Sequence, residues 1–279
     1  MKRSKGVRRG AGGALLVLAL MLAGISLRAA GKPPAGVPVN LAGASIVDLS
    51  HPFDEKTIYW PNAPSGFALH RESFGRTPGG YFYAANDFCS PEHGGTHIDA
   101  PLHFSEGKWA VDQIPIRQLI APGIVMDVTA RAAADPDYRL TLEDVRAWEK
   151  RHGPVPPGSI VILRTGWAKR WPDRKAYLGD DTPGRVTNLH FPSYGREAAE
   201  LLAVQRRVAA IGVDTASIDY GPSTDFIVHR TVLGLNVPGL ENLAQLDALP
   251  DTGFWVLALP MKIAGGSGAP ARVAAVLSR

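Results

Sequence analysis

His93-Gly94-Gly95-Thr96-His97-Ile98-Asp99-Ala100-Pro101-Leu102-His103 gathers three of the chain's eight histidines and one aspartate into a single short run. Imidazole is the commonest protein ligand for transition metals and aspartate is a hard oxygen donor, so the run reads as a metal site. Its local geometry follows from elimination. A helix brings His93 and His97 to one face, but Gly94 and Gly95 cost about 1 kcal/mol each inside it. Asp99 would also face away from His97, because residues two apart do not meet on a helix. A straight strand keeps positions 93, 97, 99 and 103 on one face. It also sets His93 and His97 about 13 Å apart, too far for two donors that each lie about 2 Å from one ion. What remains is a bend at Gly94-Gly95, a short extended piece, and a stop at Pro101.

Outward from this run, the chain alternates short apolar stretches with turn-rich segments. Strands are expected at 45–50, 81–88, 123–129, 159–164, 208–213, 253–259 and 273–277. The run Ser159-Ile-Val-Ile-Leu-Arg164 is nearly all apolar, as a strand buried on both faces must be. Thr141 is placed to cap a helix, with Asp144 three residues on; Leu142, Val145 and Trp148 recur along it, and Gly153-Pro154 stops it. A second helix is expected over 196–207. The Pro- and Gly-rich stretch 52–80 reads as ordered loop. Strands and a few flanking helices predict an α/β fold: one β-rich domain over residues 44–279.

Residues 1–30 follow the plan of a signal peptide. A basic start precedes an apolar stretch from Ala14 to Leu27, and Ala29-Ala30-Gly31 supplies small residues. The apolar stretch falls short of the roughly 20 residues that span a bilayer. The expectation is therefore an exported protein, periplasmic or secreted, with no stable membrane insertion once the leader is cleaved. Residues 31–43 read as a linker. Six of the 30 Lys and Arg lie in residues 1–30 and none of the 26 Asp and Glu does, so the remainder carries a slight acidic excess. No basic stripe points to nucleic acid. Cys89 is the only cysteine, which excludes an intrachain disulfide and a cysteine-rich zinc site.

The run His93–His103 matches HxGTHxDxPxH, and through it the chain resembles the cyclase family, which includes bacterial kynurenine formamidases and isatin hydrolases. The likeness continues through Asp214-Thr-Ala-Ser-Ile-Asp219, His229, Glu241-Asn-Leu243 and Pro260-Met-Lys-Ile-Ala-Gly-Gly266. The resemblance implies a β/β/α fold and a divalent metal, zinc or manganese, as one or two ions. It implies that His93, His97 and Asp99 hold one ion, that Asp99 bridges to a second held by His229 and Glu241, that His103 is the catalytic proton shuttle, and that Trp60 binds substrate. It also implies a homo-oligomer.

The chemistry such a site suits is hydrolysis of a small-molecule amide. A metal acidifies water and polarises a carbonyl, while a nearby histidine delivers a proton to the poorly leaving nitrogen. An N-formylkynurenine-type arylformamide is the first expected substrate and a cyclic amide of the isatin kind the alternative. Tyr59, Trp60, Phe67, Phe82 and Phe104 are candidates for an aromatic pocket. Two further classes stay open: an exported protein that uses the metal only to hold a ligand, and a module that metal merely stabilises. Ser217 lacks the Gly-x-Ser-x-Gly elbow of a nucleophile. Gly265-Gly266-Ser267-Gly268 lacks the Lys-Ser/Thr of a phosphate loop and reads as a structural turn.

Overall fold

Twelve strands and six short helices build the part of the chain that the computed structural model describes, residue 41 and residues 43–277. The leader, and all of the linker but residues 41 and 43, lie outside the described residues. In chain order the strands are β1 (Ser45–Asp48), β2 (Ala68–Arg76), β3 (Phe82–Cys89), β4 (His97–Asp99), β5 (Ile120–Asp127), β6 (Arg139–Leu140), β7 (Ile160–Arg164), β8 (Ser193–Tyr194), β9 (Ala210–Val213), β10 (Gly239–Glu241), β11 (Phe254–Pro260) and β12 (Gly268–Leu277). The helices are α1 (Ile116–Leu119), α2 (Thr129–Ala134), α3 (Leu142–His152), α4 (Arg174–Leu178), α5 (Arg196–Glu200) and α6 (Ile227–Leu233).

Seven strands close into a ring in the order β12-β11-β5-β7-β9-β10-β4, with β4 returning to β12. The run β5-β7-β9-β10 is parallel and the remaining pairs of the ring are antiparallel. One edge of β12 serves two partners: residues 268–270 pair with β4, and residues 274–277 pair with β1. Closure leaves the ring without the unpaired edges that an open sheet exposes.

Alternation along the parallel strands sorts side chains into two cores. Val125, Ile160, Ile162 and Ala210 join residues from the other ring strands, Ile98, Leu240, Val256 and Val273 among them, in one cluster that fills the barrel. Ile124, Met126, Val161, Leu163, Ile211 and Val213 face outward and pack on Trp148 of α3, Ala198 and Ala199 of α5, and Val228 and Val232 of α6. Both faces are thus buried, which is why these strands read as unbroken apolar runs.

Helix α3 starts and stops where its caps require. The Thr141 hydroxyl accepts from the Asp144 N–H, the Asp144 carboxylate accepts from the Thr141 N–H, and Gly153 ends the helix. The helix expected over 196–207 is α5 followed by a π-helical turn, Leu201–Gln205. One expectation fails. The stretch 52–80 is not all loop, because Ala68–Arg76 forms β2 and pairs with β3 in a separate hairpin. Leu69, Phe74, Phe82 and Phe88 are each more than half exposed there, so burial imposed no alternation that a reader of the sequence could detect.

Candidate active site and metal centre

The predicted bend is present. Gly94 has φ +152° and Gly95 φ +57°, and a Cβ at either would enter the ring of Tyr59 or of Phe53. The chain then extends for three residues as β4 and ends in a 3-10 turn, Pro101–His103. Ile98 points into the barrel core, so His97 and Asp99 point outward. Across the seam β4 pairs with β10, setting His97 opposite Glu241 and Asp99 opposite Gly239. On its other edge Asp99 faces Gly268 of β12. A carboxylate flanked by two glycines has room for partners that arrive from elsewhere in the chain.

Those partners converge. Asp99 Oδ1 lies 2.6 Å from His93 Nδ1 and 3.2 Å from His97 Nε2, and its Oδ2 lies 3.0 Å from His229 Nε2. Glu241 closes the group, with Oε2 3.5 Å from His97 Nε2 and Oε1 3.3 Å from His229 Nε2. The His103 ring stacks on His93 at 3.7 Å between centroids. All five expected ligands and the expected proton shuttle therefore meet in one place. Among the described residues two triads, His97 with Asp99 and Glu241, and His93 with Asp99 and His103, each offer donor atoms within 4.8 Å of one another. Asp99 is shared by both, as in the expected arrangement, whereas the expected pairing grouped His97 with His93.

Several side chains are held by groups behind them. His97 Nδ1 bonds the Gly95 carbonyl at 2.9 Å, and that carbonyl also accepts from Asn242 Nδ2. His229 Nδ1 donates to Asp219 Oδ2 at 2.7 Å, and Asp219 also accepts from the Val228 and His229 N–H groups at the start of α6. Such partners fix tautomer and ring orientation for metal-binding imidazoles. Asp219 belongs to the quoted motif but was given no role from sequence. Its signal was a carboxylate ten residues before a candidate histidine, too common a pattern to read alone.

The electrostatics ask for positive charge. Asp99 is 1% exposed and Glu241 4% exposed, and among the described residues no Lys or Arg lines the cavity around them. Burial would raise the Asp99 carboxyl, but the charges of His93 and His103 and the hydrogen bonds from His229 and His93 hold it well below its usual value. Burial and the charge of Asp99 raise Glu241. Burial would lower His97, yet its contacts with Asp99 and Glu241 push it up to about 9. His103, half-buried, is lowered to about 4 by desolvation and the neighbouring imidazoles against the opposing charge of Asp99. Buried carboxylates need a compensating cation, which the raised imidazoles of His97 and His229 supply here and a bound divalent ion would supply in their place. The His/Asp/Glu donor set fits a divalent transition ion.

The cluster floors a cavity of about 320 Å³. Tyr59, Trp60 and Phe104 line it as expected; Phe67 and Phe82 do not, because they lie at or on the exposed hairpin. Phe226 lines it too and was not foreseen. Its backbone is left-handed, φ +49°, at the cap of α6, a sparsely populated conformation that places its ring 5.2 Å from Phe104 and 6.1 Å from Trp60.

A closed β-barrel with flanking helices thus carries a His/carboxylate centre, a donor set that fits a divalent ion, beneath an aromatic cavity. Residues 47–220 match the family model "Putative cyclase". The chain is 37% identical over 208 residues to an isatin hydrolase of Roseibium aggregatum, covering 72% of this chain and 77% of that one. It is 30% identical over 185 residues to a kynurenine formamidase of Salinibacter ruber, covering 64% and 74%. Among solved structures, isatin hydrolase A from Ralstonia solanacearum superposes with a TM-score of 0.77 at 34% identity, covering 85% of this chain and 93% of that one. The chain belongs to the cyclase family.

Proposed function

We propose that the protein hydrolyses the amide C–N bond of a small molecule whose nitrogen is borne on an aromatic ring, with a divalent ion, zinc or manganese, at the Asp99 cluster. The observation that supports this most directly is the joining of two features in one cavity: aromatic walls above, and buried imidazoles and carboxylates below. His93, His97, Asp99, His229 and Glu241 would hold one or two ions. An ion there supplies Lewis acidity, acidifying water and polarising a carbonyl oxygen. The chain's own residues do the rest. His103, which stacks on His93 and meets Phe104 and His229 edge-on, is neutral at pH 7 and so has a nitrogen lone pair to take the proton of the attacking water. It then returns that proton to the departing nitrogen. Trp60, Phe104 and Phe226 hold the aromatic ring and keep bulk water from the carbonyl.

A cyclic amide of the isatin kind shares its reacting unit with an arylformamide, since both place an N-aryl amide carbonyl before the nucleophile. The 37% identity to an isatin hydrolase favours assaying the cyclic amide first. The test is turnover of isatin, N-formylkynurenine and formanilide with and without a chelator. Chelator-sensitive hydrolysis of at least one supports the reading; ion-dependent binding with no turnover of any replaces it with a binding protein. No helix among the described residues is long and apolar enough to cross a membrane. We read residues 1–30 as an export leader, which N-terminal sequencing of the mature protein checks. We also read the protein as a homo-oligomer, which light scattering checks.

A further inference from the structure

The segment Gly265-Gly266-Ser267-Gly268 is not an idle turn. We infer that Glu92 and Ser267 form a positioning relay that decides which ring nitrogen of His93 carries its proton and so aims the other at the Asp99 cluster. The inference rests on the reading of that cluster as an ion site.

Proton accounting fixes the direction. Ser267 Oγ lies 2.6 Å from Glu92 Oε2, which also accepts the Ser267 N–H at 3.0 Å. A carboxylate only accepts, so the single O–H of Ser267 is committed to Glu92. Ser267 Oγ therefore turns a lone pair to His93 Nε2, 2.8 Å away, and that nitrogen must donate. His93 Nδ1, 2.6 Å from Asp99 Oδ1, is then the atom that faces the cluster and offers its lone pair to a cation. Glu92 cannot do this directly: its nearer oxygen is 4.0 Å from His93 Nε2, beyond hydrogen-bond reach.

The backbone is shaped around this chain of contacts. A Cβ at Gly266 would lie 2.8 Å from Glu92 Oε1, and one at Gly268 would lie 2.5 Å from His93 Cε1 and 2.6 Å from the Ile98 carbonyl. Ser267 is thus set between two positions where a side chain would expel either the carboxylate or the imidazole. The segment is pinned from the other side by Ala100 N–H to the Ser267 carbonyl and Val111 N–H to the Gly266 carbonyl, both 2.9 Å.

The variants Glu92→Gln and Ser267→Ala test the relay, with zinc ion as the probe. In E92Q the amide N–H₂ can donate to Ser267 Oγ, which frees the hydroxyl to donate to His93 Nε2 and moves the ring proton to Nδ1. Zinc affinity, measured by chelator competition, should weaken about 10- to 100-fold in E92Q and about 10-fold in S267A, the range seen when outer partners of metal ligands are removed. The double variant should be no weaker than the weaker single. In zinc-loaded wild-type protein, ¹⁵N–¹H NMR of labelled histidine should place the His93 proton on Nε2, a signature that general loosening would not produce. E92Q keeps size and shape, so it decides the matter if S267A fails to fold. Zinc affinity within twofold of wild type in folded E92Q, or the His93 proton on Nδ1, overturns the relay while the ion site stands. A wild-type protein that binds no zinc overturns the site itself, and the relay with it.

Discussion

Replacing Asp219 with Asn should loosen the ion site from behind while leaving every donor side chain in the sequence. The Asp219 carboxylate accepts four hydrogen bonds. Oδ1 takes Val228 N–H at 3.0 Å and the Ser223 hydroxyl at 3.3 Å; Oδ2 takes His229 N–H at 3.0 Å and His229 Nδ1 at 2.7 Å. An asparagine has one acceptor oxygen. If that oxygen stays with His229, the new N–H₂ faces the Val228 N–H and leaves a buried donor unpaired, at a cost of about 1–3 kcal/mol. The bond to His229 also loses its charge assistance, worth about 1 kcal/mol more. The fold should thus lose about 2–4 kcal/mol, which for a chain of this size is a fall in Tm of roughly 5–15 °C. Ion affinity should drop about 10- to 100-fold, because the His229 ring is no longer fixed with Nε2 toward Asp99 and Glu241. Thermal unfolding and chelator competition with zinc read the two effects separately. A lowered Tm with zinc affinity unchanged would refute the reasoning: Asp219 would then merely cap α6, and His229 would not be a donor.

The remaining predictions concern the ion, the shuttle, the pocket wall and a histidine outside the ion cluster. Saturating zinc at about a thousand times its Kd should stabilise the protein by about 4 kcal/mol; chelation should silence it and lower Tm by roughly 8–16 °C without unfolding it at 25 °C, whereas unfolding there would mark the ion as purely structural. His103→Ala should keep its metal content, by elemental analysis, and lose about 10²- to 10⁴-fold in kcat; loss of metal would move His103 into the ligand set. Trp60→Leu should raise KM about tenfold, equivalent to about 1.4 kcal/mol, with kcat nearly unchanged; an unchanged KM would place the substrate ring elsewhere. His51, stacked on Trp171 at 4.2 Å, has its imidazole lowered by burial from 6.5 to about 4. Its unfolded form binds a proton between those values and its folded form does not, so stability is full above pH 6.5 and falls as pH drops toward 4. The full difference of about 3 kcal/mol shrinks to about 2 after allowance for partial exposure, and a His51→Phe variant should show a flatter acid limb in urea melts.

The parts of this fold that could be read beforehand share a physical cause: each is dictated by neighbours in the chain. The bend at Gly94-Gly95 follows from donor reach, and helix α3 follows from caps at Thr141 and Gly153. The strands β5, β7 and β9 follow from burial on both faces. What escaped reading depends on contacts between distant segments or on no burial at all. Strand β2 carries its large apolar residues into solvent, so no pattern marks it. Phe226 enters the pocket through a left-handed backbone that a phenylalanine rarely adopts. Gly266-Ser267-Gly268 looked like a turn because its partners, Glu92 and His93, lie more than 170 residues earlier.

The site also explains why so short a strand as β4 can close the barrel. Three residues supply few ladder bonds, and β4 must satisfy β10 on one edge and β12 on the other. Ile98 anchors it inward among Leu240 and Ala269. Outward, His97 and Asp99 tie it to Glu241 on β10 and to His229 on α6. Two of the donor pairs that an ion would join therefore leave β4: His97 with Glu241 crosses to β10, and Asp99 with His229 reaches the helix layer. An ion bound there would favour the closed ring, since the unfolded chain holds His229 and Glu241 far from the run 93–103. Barrel closure and the ion site thus share β4, and a substitution at Ile98 such as Ile98→Ala, which leaves every donor in place, should weaken zinc binding as well as the core. Unaltered zinc affinity in that variant would show that the donors are organised independently of the strand that carries them.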